Sequence, residues 1–238
     1  MISIEKKSKE LTIYDLSLYS YCPRLYKYYY KNNLEPETFF SSAELLIEKI
    51  CTWIYTYLLA SEKPPSYNQL DSLWAQNLPK NLNETYVKHA LIQFRYIMTN
   101  ELFTYLPAYT NYPVRHITNN IILNSHVPVI TEHEGKLSAI FFKAFPSTHY
   151  QNDLHIRFAA QKLAEISDLE CILIYNLNLN KTVPSMHRLY INDLNSKMLY
   201  NDIEGMMTAC VKGPYSPIFR CQRRSCIHWD DCIIGSSP

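Results

Sequence analysis

The sequence predicts a mixed α/β protein, in which an N-terminal helical lobe precedes one α/β core and a cysteine-rich segment closes the chain. Three observations predict this class. Apolar residues recur at helical spacing through the N-terminal part, whereas short apolar runs separated by polar turns follow in the middle. The chain has 238 residues, of which 47% are hydrophobic and 19% charged, and these values are typical of a folded protein with one sizeable core.

The N-terminal part predicts four helices. The first begins near Pro23, because proline suits the first turn of a helix. Ser41 or Ser42 can cap the second, and "KPPSYN" separates it from the third. The fourth is long and amphipathic, and Pro107 ends it. We expect these helices at about 23–31, 42–59, 68–77 and 84–106.

The middle of the chain predicts a strand meander. Its apolar runs are "YPVRHI", "NIILNSHVPVI" and "KLSAIFFKAF", with "TNN" and "TEHEG" between them. A helix at about 153–166 follows, then strands in "ECILIYNLNL" and "MHRLYI". The last helix is expected at about 193–211, because Gly213 and Pro214 stop it.

Composition excludes some classes of protein. The formal net charge is +1, so nucleic-acid binding would need a local basic patch. "MISIEKKSKE" carries charges where a signal peptide needs an apolar core, and no uncharged apolar run reaches the ~18 residues of a membrane span. We therefore expect an intracellular, cytoplasmic protein whose seven cysteines are reduced.

Four cysteines lie in polar surroundings. Cys221, Cys226 and Cys232 fall within "CQRRSCIHWDDC", and Cys22 lies far upstream in "LSLYSYCPRLYKYYYKN". Thiolates bind soft metals, so this set fits a [4Fe–4S] cluster, or a zinc site with His228 as an alternative fourth ligand to Cys22. A third interpretation has no metal. The remaining cysteines lie in apolar contexts and are expected to be buried: Cys51, Cys171 and Cys210.

The cysteine frame resembles that of RecB-like nucleases that carry an iron–sulfur staple, among them the nuclease domain of AddB and the CRISPR-associated RecB-like exonucleases. Cys22 and Pro23, with Tyr26 and Lys27 after them, match the front element of that family. The segment "CIHWDDC" matches its closing cysteine pair. The departure is "CQRRSC", which has a gap of four residues where the family has two.

The resemblance implies a restriction-endonuclease-like, PD-(D/E)xK mixed-sheet core and a [4Fe–4S] cluster as cofactor. The cluster segments would be 1–32 and 213–238, with a helical lobe at 33–110 and the nuclease-like core at 111–212. One cysteine ahead of the core and three behind it would then hold the cluster.

The resemblance also implies a nuclease site, but the acids of that site are missing. In the family, acids on two neighbouring strands hold a divalent metal ion, and a lysine two residues after the second acid helps to activate water. Lys143 stands at the position of the lysine, but Phe141 replaces the second acid. The preceding strand, at 121–130, contains no Asp or Glu. Lys143 is therefore expected to be vestigial.

Other residues could replace the missing ligands. Ala43 and Ile47 stand at the positions where the family has its early histidine motif, and Gln161 partly matches its later glutamine motif. The candidate acids from other elements are Glu132, Glu134, Asp153 and Glu165, which we expect to be solvated charges. His126 and His133 are candidate ligands that we expect to be hydrogen-bonded or exposed.

These features favour a catalytically inactive nuclease-like protein that serves as a DNA-binding or architectural subunit beside other proteins of a DNA-processing complex. The rings of Tyr26–Tyr30 could stack on bases, or pack inside the lobe. Two alternatives stay open: an active metal-dependent DNA exonuclease with relocated acids, and a protein–protein scaffold without DNA contact. The predicted DNA-binding residues flank the cysteines: Arg24, Lys27, Lys31, Arg220, Arg223 and Arg224.

Overall fold

The computed structural model describes residues 9–33, 42–78, 83–101, 106–133, 136–147, 149–194 and 199–213. The described residues divide into two units. The first unit takes those within 1–39, 116–124 and 198–238, and the second unit takes those within 40–115 and 125–197.

Seven α-helices and six β-strands are formed by the described residues. The helices are α1 (Ile13–Tyr21), α2 (Pro23–Lys31), α3 (Ser42–Ser61), α4 (Tyr67–Asn77), α5 (Glu84–Tyr96), α6 (Leu154–Ala164) and α7 (Leu199–Lys212). The strands are β1 (Lys9–Thr12), β2 (Pro107–Thr118), β3 (Ile121–His133), β4 (Lys136–Lys143), β5 (Leu169–Asn176) and β6 (Ser185–Leu189).

The helices α2, α3, α4 and α6 lie where the sequence predicts them, and so do the strands of the meander. The long helix predicted to reach Pro107 is shorter than expected, because α5 ends at Tyr96 and a π-helical turn, Ile97–Glu101, follows it. The last helix begins at Leu199 rather than near Asp193, which ends a 3-10 turn. Neither β1 nor α1 was predicted. The four residues of β1 give too short a periodic signal.

The first unit is built around α1. Its N-terminus is closed by a capping box in which Thr12 and Asp15 exchange hydrogen bonds. Both α2 and α7 pack against α1. The strand β1 runs parallel to the beginning of β3, with Leu11 opposite Leu123. The hairpin between β2 and β3 turns at Asn119 and Asn120, whose φ angles of 48° and 62° suit the tight turn that connects twisted strands.

The second unit contains a mixed sheet. The later part of β3 runs antiparallel to β4, β4 runs parallel to β5, and β5 runs antiparallel to β6. The helix α6 connects the two parallel strands, as a parallel pair requires a crossover. In the parallel pair Phe141 lies opposite Ile174, and Lys143 lies opposite Asn176 at the end of the pairing.

The helices α3 and α6 contact consecutive side chains of β4. Tyr55 of α3 lies against Phe142, with ring centroids 6.0 Å apart. The next side chain towards the N-terminus, Phe141, meets His155 of α6 edge-to-face at 5.4 Å. Successive side chains of a strand point to opposite faces, so α3 and α6 cover opposite faces of this sheet. The predicted mixed α/β class is confirmed.

None of the helices that the structure describes combines the length and the apolar character that a membrane crossing requires.

Truncating a core residue of α3 tests the packing of the second unit. Ile54 is fully buried in its apolar core, so Ile54→Ala should lower the free energy of unfolding by about 2–5 kcal/mol. Leu59 on the same helix is 43% exposed, so Leu59→Ala should cost less than about 1 kcal/mol. Urea denaturation of both variants measures the difference, and equal losses would contradict the assigned faces of α3.

Candidate functional site

An ion pair joins the end of β4 to the beginning of α6. The ammonium of Lys143 donates to Asp153 Oδ2 at 2.8 Å, and the two side chains are 19% and 27% exposed. Asp153 is also the N-cap of α6, because its Oδ1 accepts a hydrogen bond from the backbone N–H of Ile156 at 3.1 Å. One carboxylate therefore holds both the strand end and the helix start.

The helix α3 brings two further carboxylates to this end of the sheet. Glu44, in its first turn, accepts hydrogen bonds from the backbone N–H groups of Ala144 and Phe145, directly after β4. Glu48, one turn later, pairs with His126 of β3, and the distance from Glu48 Oε1 to His126 Nε2 is 3.0 Å. Residues four apart lie on the same side of a helix, which explains why both acids face the sheet end.

His155 completes the arrangement from α6. Its Nε2 donates to the backbone carbonyl of His126 at 2.7 Å, and its ring centroid lies 5.1 Å from that of His126. Burial lowers the pKa of His155 despite the charges of Glu48 and Asp153. A neutral imidazole with its proton on Nε2 satisfies this hydrogen bond.

The charges at the site are mutually dependent. Burial alone would raise the pKa of Asp153 and lower that of Lys143, but their mutual attraction reverses both effects. The pKa of Asp153 falls below its usual range, and that of Lys143 rises to about 12, with Glu44 contributing. Burial likewise raises the pKa of Glu44. For Glu48 burial is the largest single effect, but the hydrogen bond from His126 and the surrounding basic groups together outweigh it and lower the pKa.

A cavity of about 310 Å³ opens beside the ion pair. It is open to solvent. The residues that give it its chemical character are Glu44, Lys143, His149, Tyr150, Asn152 and Asp153.

Phe141 is the residue that stands where the resemblance implies the second acid. This side chain is 1% exposed and lies against His155. An aromatic ring therefore fills the position at which the resemblance implies a carboxylate. Lys143, two residues on, is engaged by Asp153.

The candidate replacement acids fall in different places. Asp153 is at the site, so the expectation of a solvated charge is wrong for it, because a partly buried ion pair takes up its carboxylate. Glu165 pairs with Lys162 near the end of α6 and is 39% exposed, and Glu132 is exposed on β3, so both are solvated as expected. Glu134 and the side chain of His133 lie outside the described residues.

Sequence reasoning missed Glu44, Glu48 and His155, although one signal was available. Ala43 and Ile47, which occupy the spacing of the family's histidine, are buried in the core, and the two glutamates repeat that spacing one residue later. Two acids four residues apart on a mostly apolar helix indicate a shared polar contact. His126 was a candidate, and it is hydrogen-bonded as expected. Gln161 lies on α6 and is half-buried.

The divalent metal ion that such a nuclease site requires does not fit these side chains. Within the part of the chain that the structure describes, no group of three or more His, Cys, Asp or Glu residues is arranged to hold a metal ion. Asp153 accepts from Lys143, Glu48 pairs with His126, and Glu44 accepts from two backbone N–H groups. A metal ion would have to displace these donors.

Of the residues predicted to bind the iron–sulfur cluster or DNA, the structure describes only those near the N-terminus. Cys22 is partly exposed at the junction of α1 and α2, where it is the N-cap of α2 and makes no capping hydrogen bond through its side chain. Arg24 is half-buried on α2, and Lys27 is exposed there. The other predicted residues lie outside the described residues or side chains: Lys31, Arg220, Cys221, Arg223, Arg224, Cys226 and Cys232.

The three remaining cysteines are buried as predicted. Burial raises the pKa of Cys210 to about 12 and that of Cys51 well above its usual value. Cys171 lies 3.4 Å from the hydroxyl oxygen of Ser138. Buried thiols with raised pKa values, such as Cys51 and Cys210, are poor metal ligands because a metal binds the thiolate.

The tyrosines of α2 divide between core and surface. Tyr26 and Tyr29 are 1% and 6% exposed, so packing inside the unit is the correct interpretation for these two rings. Tyr30 is 57% exposed, and the Lys9 ammonium lies 4.2 Å from the centre of its ring.

Comparison with known proteins supports the fold. No protein-family model and no curated protein matches the sequence. The structure is similar to the crystal structure of a protein described as a "putative exonuclease" from Eubacterium rectale, with a TM-score of 0.59 and 12% identity, over 100% of this chain and 92% of that one. It also matches the crystal structure of SSO0001, with a TM-score of 0.48 and 12% identity, over 99% and 91% of the two chains. The first likeness confirms the restriction-endonuclease-like mixed-sheet core.

The ion pair predicts how acid affects stability. A carboxyl whose pKa is lower in the folded protein stabilises it above the pKa of the unfolded chain, and this contribution disappears as pH falls through the folded value. Asp153→Asn keeps the cap but removes the charge, so it should cost about 1–3 kcal/mol of unfolding free energy at pH 7. The difference from wild type should shrink as pH falls below about 4. Urea denaturation across pH measures it.

Glu165→Gln is the matched control for this experiment. It removes a carboxylate that pairs with Lys162 on the surface of the same helix region, and it should change stability by less than about 0.5 kcal/mol at each pH. Glu44 affects the pH dependence of stability in the opposite direction, because its raised pKa favours the folded protein at low pH. This contribution is present in wild type and in Asp153→Asn, so it largely cancels when the two are compared. A constant Asp153→Asn penalty from pH 7 to about pH 2 would mean that the charge is unimportant.

Proposed function

We propose that this protein is a nuclease-fold subunit that does not cleave DNA and instead binds or organises it in a DNA-processing complex. The observation that carries the proposal is the state of the site at the end of β4. Phe141 fills the position of a metal-binding acid, and the three carboxylates nearby are already engaged by Lys143, His126 and backbone N–H groups. Two-metal or one-metal phosphodiester cleavage needs carboxylates that are available to a cation.

The cavity itself is a poor place for a phosphate group in the absence of a metal ion. Glu44 and Asp153 line it with two carboxylates, and Lys143 supplies one ammonium. A phosphodiester would meet repulsion from the carboxylates, since charges in a partly buried site interact more strongly than in water. DNA contact is therefore proposed for the basic surface of α2 and of the cysteine-rich segment.

The proposed DNA surface begins at α2. Arg24 and Lys27 lie in its first turns, directly after Cys22. Arg220, Arg223 and Arg224 surround Cys221 in the sequence. If Cys22 and Cys221 bind the same cluster, the two groups of cations come together as one basic patch. Such a patch would attract the phosphates of DNA.

A [4Fe–4S] cluster is part of the proposal. Cys22 suits a ligand role, because it is partly exposed and lies at the N-terminus of α2. On α7, Cys210 lies near Tyr26, four residues after Cys22. The helix ends at Lys212, and the nine residues from there to Cys221 can span up to about 30 Å. Zinc, held by three cysteines with Cys22 or His228, is the alternative metal.

A second candidate function is metal-dependent cleavage by relocated acids. The observation that favours it is that Glu44, Asp153 and Lys143 line one solvent-accessible cavity. A catalytic site of this kind would need the Lys143–Asp153 pair to open when substrate and metal bind.

The first test is a cleavage and binding assay on one preparation. We expect no cleavage of single- or double-stranded DNA with Mg²⁺ or Mn²⁺, and weak DNA binding that falls as salt is added. Replacing Arg220, Arg223 and Arg224 by Ala should lower the affinity and reduce the slope of log K against log[salt] by about 2–3. Fluorescence anisotropy at several salt concentrations measures both quantities.

The matched control removes three other exposed cations, Lys63, Lys88 and Lys181, and should leave the slope unchanged. Cleavage that disappears in Lys143→Ala and in Asp153→Asn would establish the second candidate. Neither cleavage nor binding would favour the scaffold interpretation over a DNA-binding subunit.

The second test concerns the cluster. Anaerobically purified protein should be brown, with a broad absorbance near ~400 nm and about four iron atoms and four sulfides per chain. Cys22→Ser should lose this absorbance, because one of four ligands is gone. Cys210→Ser is the matched control, since Cys210 is buried in the same unit and should not bind metal.

A full cluster in Cys22→Ser would contradict the front-to-back staple and make His228 the leading fourth ligand. Stoichiometric zinc without sulfide would rule out the iron–sulfur assignment.

A further inference from the structure

The surroundings of Lys143 are unusual for a lysine. Its side chain is 19% exposed, and it lies at the end of a β-strand among acids from two helices. Asp153 contacts its ammonium at 2.8 Å, and the charges of Glu44 and Glu48 also act on it. A cation is thus present at a point where three carboxylates converge, and the chain itself supplies it.

The acids differ in how strongly they depend on Lys143. Glu48 has its own partner in His126 at 3.0 Å. Glu44 and Asp153 line the cavity together with Lys143. Apart from Lys143, each of these carboxylates has backbone N–H groups as hydrogen-bond donors, and these carry no net charge. Loss of the ammonium would leave these two carboxylates facing the same cavity without a compensating charge.

We propose that Lys143 is a tethered counter-ion that replaces a divalent cation in this cavity, so that its removal converts Glu44 and Asp153 into a divalent-cation site. The cavity is about 310 Å³ and open to solvent, which leaves room for a hydrated ion. Mg²⁺ keeps several of its water ligands and is commonly held by only one or two carboxylates, so two acids suffice. With Lys143 in place, a second cation would be repelled by the ammonium.

The experiment compares thermal stability with and without a divalent cation, in the absence of DNA. Wild type should unfold at the same temperature in EDTA and in millimolar Mg²⁺ or Mn²⁺. Lys143→Met keeps most of the side-chain volume and removes the charge, so in EDTA it should melt several degrees lower, and Mn²⁺ should raise its melting temperature by about 4 °C or more. A pH of about 8 keeps Glu44 ionised, because burial raises its pKa.

Three variants control the interpretation. Lys143→Arg keeps the charge and should show no response to Mn²⁺. Lys162→Met breaks another lysine–carboxylate pair, with Glu165 on α6, and should also show none. Lys143→Met combined with Asp153→Asn should lose the response, because one of the two carboxylates is gone. Calorimetric titration with Mn²⁺ gives the stoichiometry, which should be one per chain for Lys143→Met alone.

Two results would overturn the proposal. One is a wild-type melting temperature that rises with Mn²⁺ as much as that of Lys143→Met. The other is a folded Lys143→Met protein that Mn²⁺ does not stabilise. Should Lys143→Met be insoluble when produced without added metal, Mn²⁺ in the growth medium should restore soluble protein, and a failure to restore it counts against the proposal. Because no DNA is present, the result is independent of whether the protein binds or cleaves DNA.

Discussion

The ion pair between Lys143 and Asp153 fixes the junction on which the site depends. It links the last residue of β4 to the N-cap of α6, and α6 is the crossover between the two parallel strands of the sheet. A partly buried pair of this kind is stabilising only when both partners have their hydrogen bonds, which Asp153 achieves by also accepting from Ile156. The same pair limits what the site can bind, because the ammonium of Lys143 and the carboxylate of Asp153 are already bonded to each other.

The other charged and polar side chains at this junction are arranged so that their charges are balanced. The two glutamates of α3 arrive on the same side of the helix, and each is met by a donor of its own. His155 remains neutral through burial, so it adds a hydrogen bond without adding a charge. The arrangement therefore approaches neutrality through side chains and backbone groups, where a metal-dependent nuclease would use a divalent ion and water.

The sequence was informative about the fold and less so about the site, for physical reasons. Helical and alternating apolar periods made α3, α6 and the meander predictable, whereas the four-residue β1 and the nine-residue α1 were missed. Phe141 and Lys143 could be placed because strand register follows from alternation along one segment. Glu44, Glu48 and His155 could not, because their roles arise from contacts between α3, β3 and α6, and a single sequence records no such long-range pairing.

Buried carboxylates must be neutralised if the folded state is to be stable, either by a bound cation or by groups of the chain itself. Phe141 adds no charge at the end of β4, because its apolar ring packs against His155. Glu44, Glu48 and Asp153 are few enough for one ammonium, one imidazole and two backbone N–H groups to satisfy. Lys143 has a structural partner in Asp153, so charge balance alone accounts for a lysine at this position.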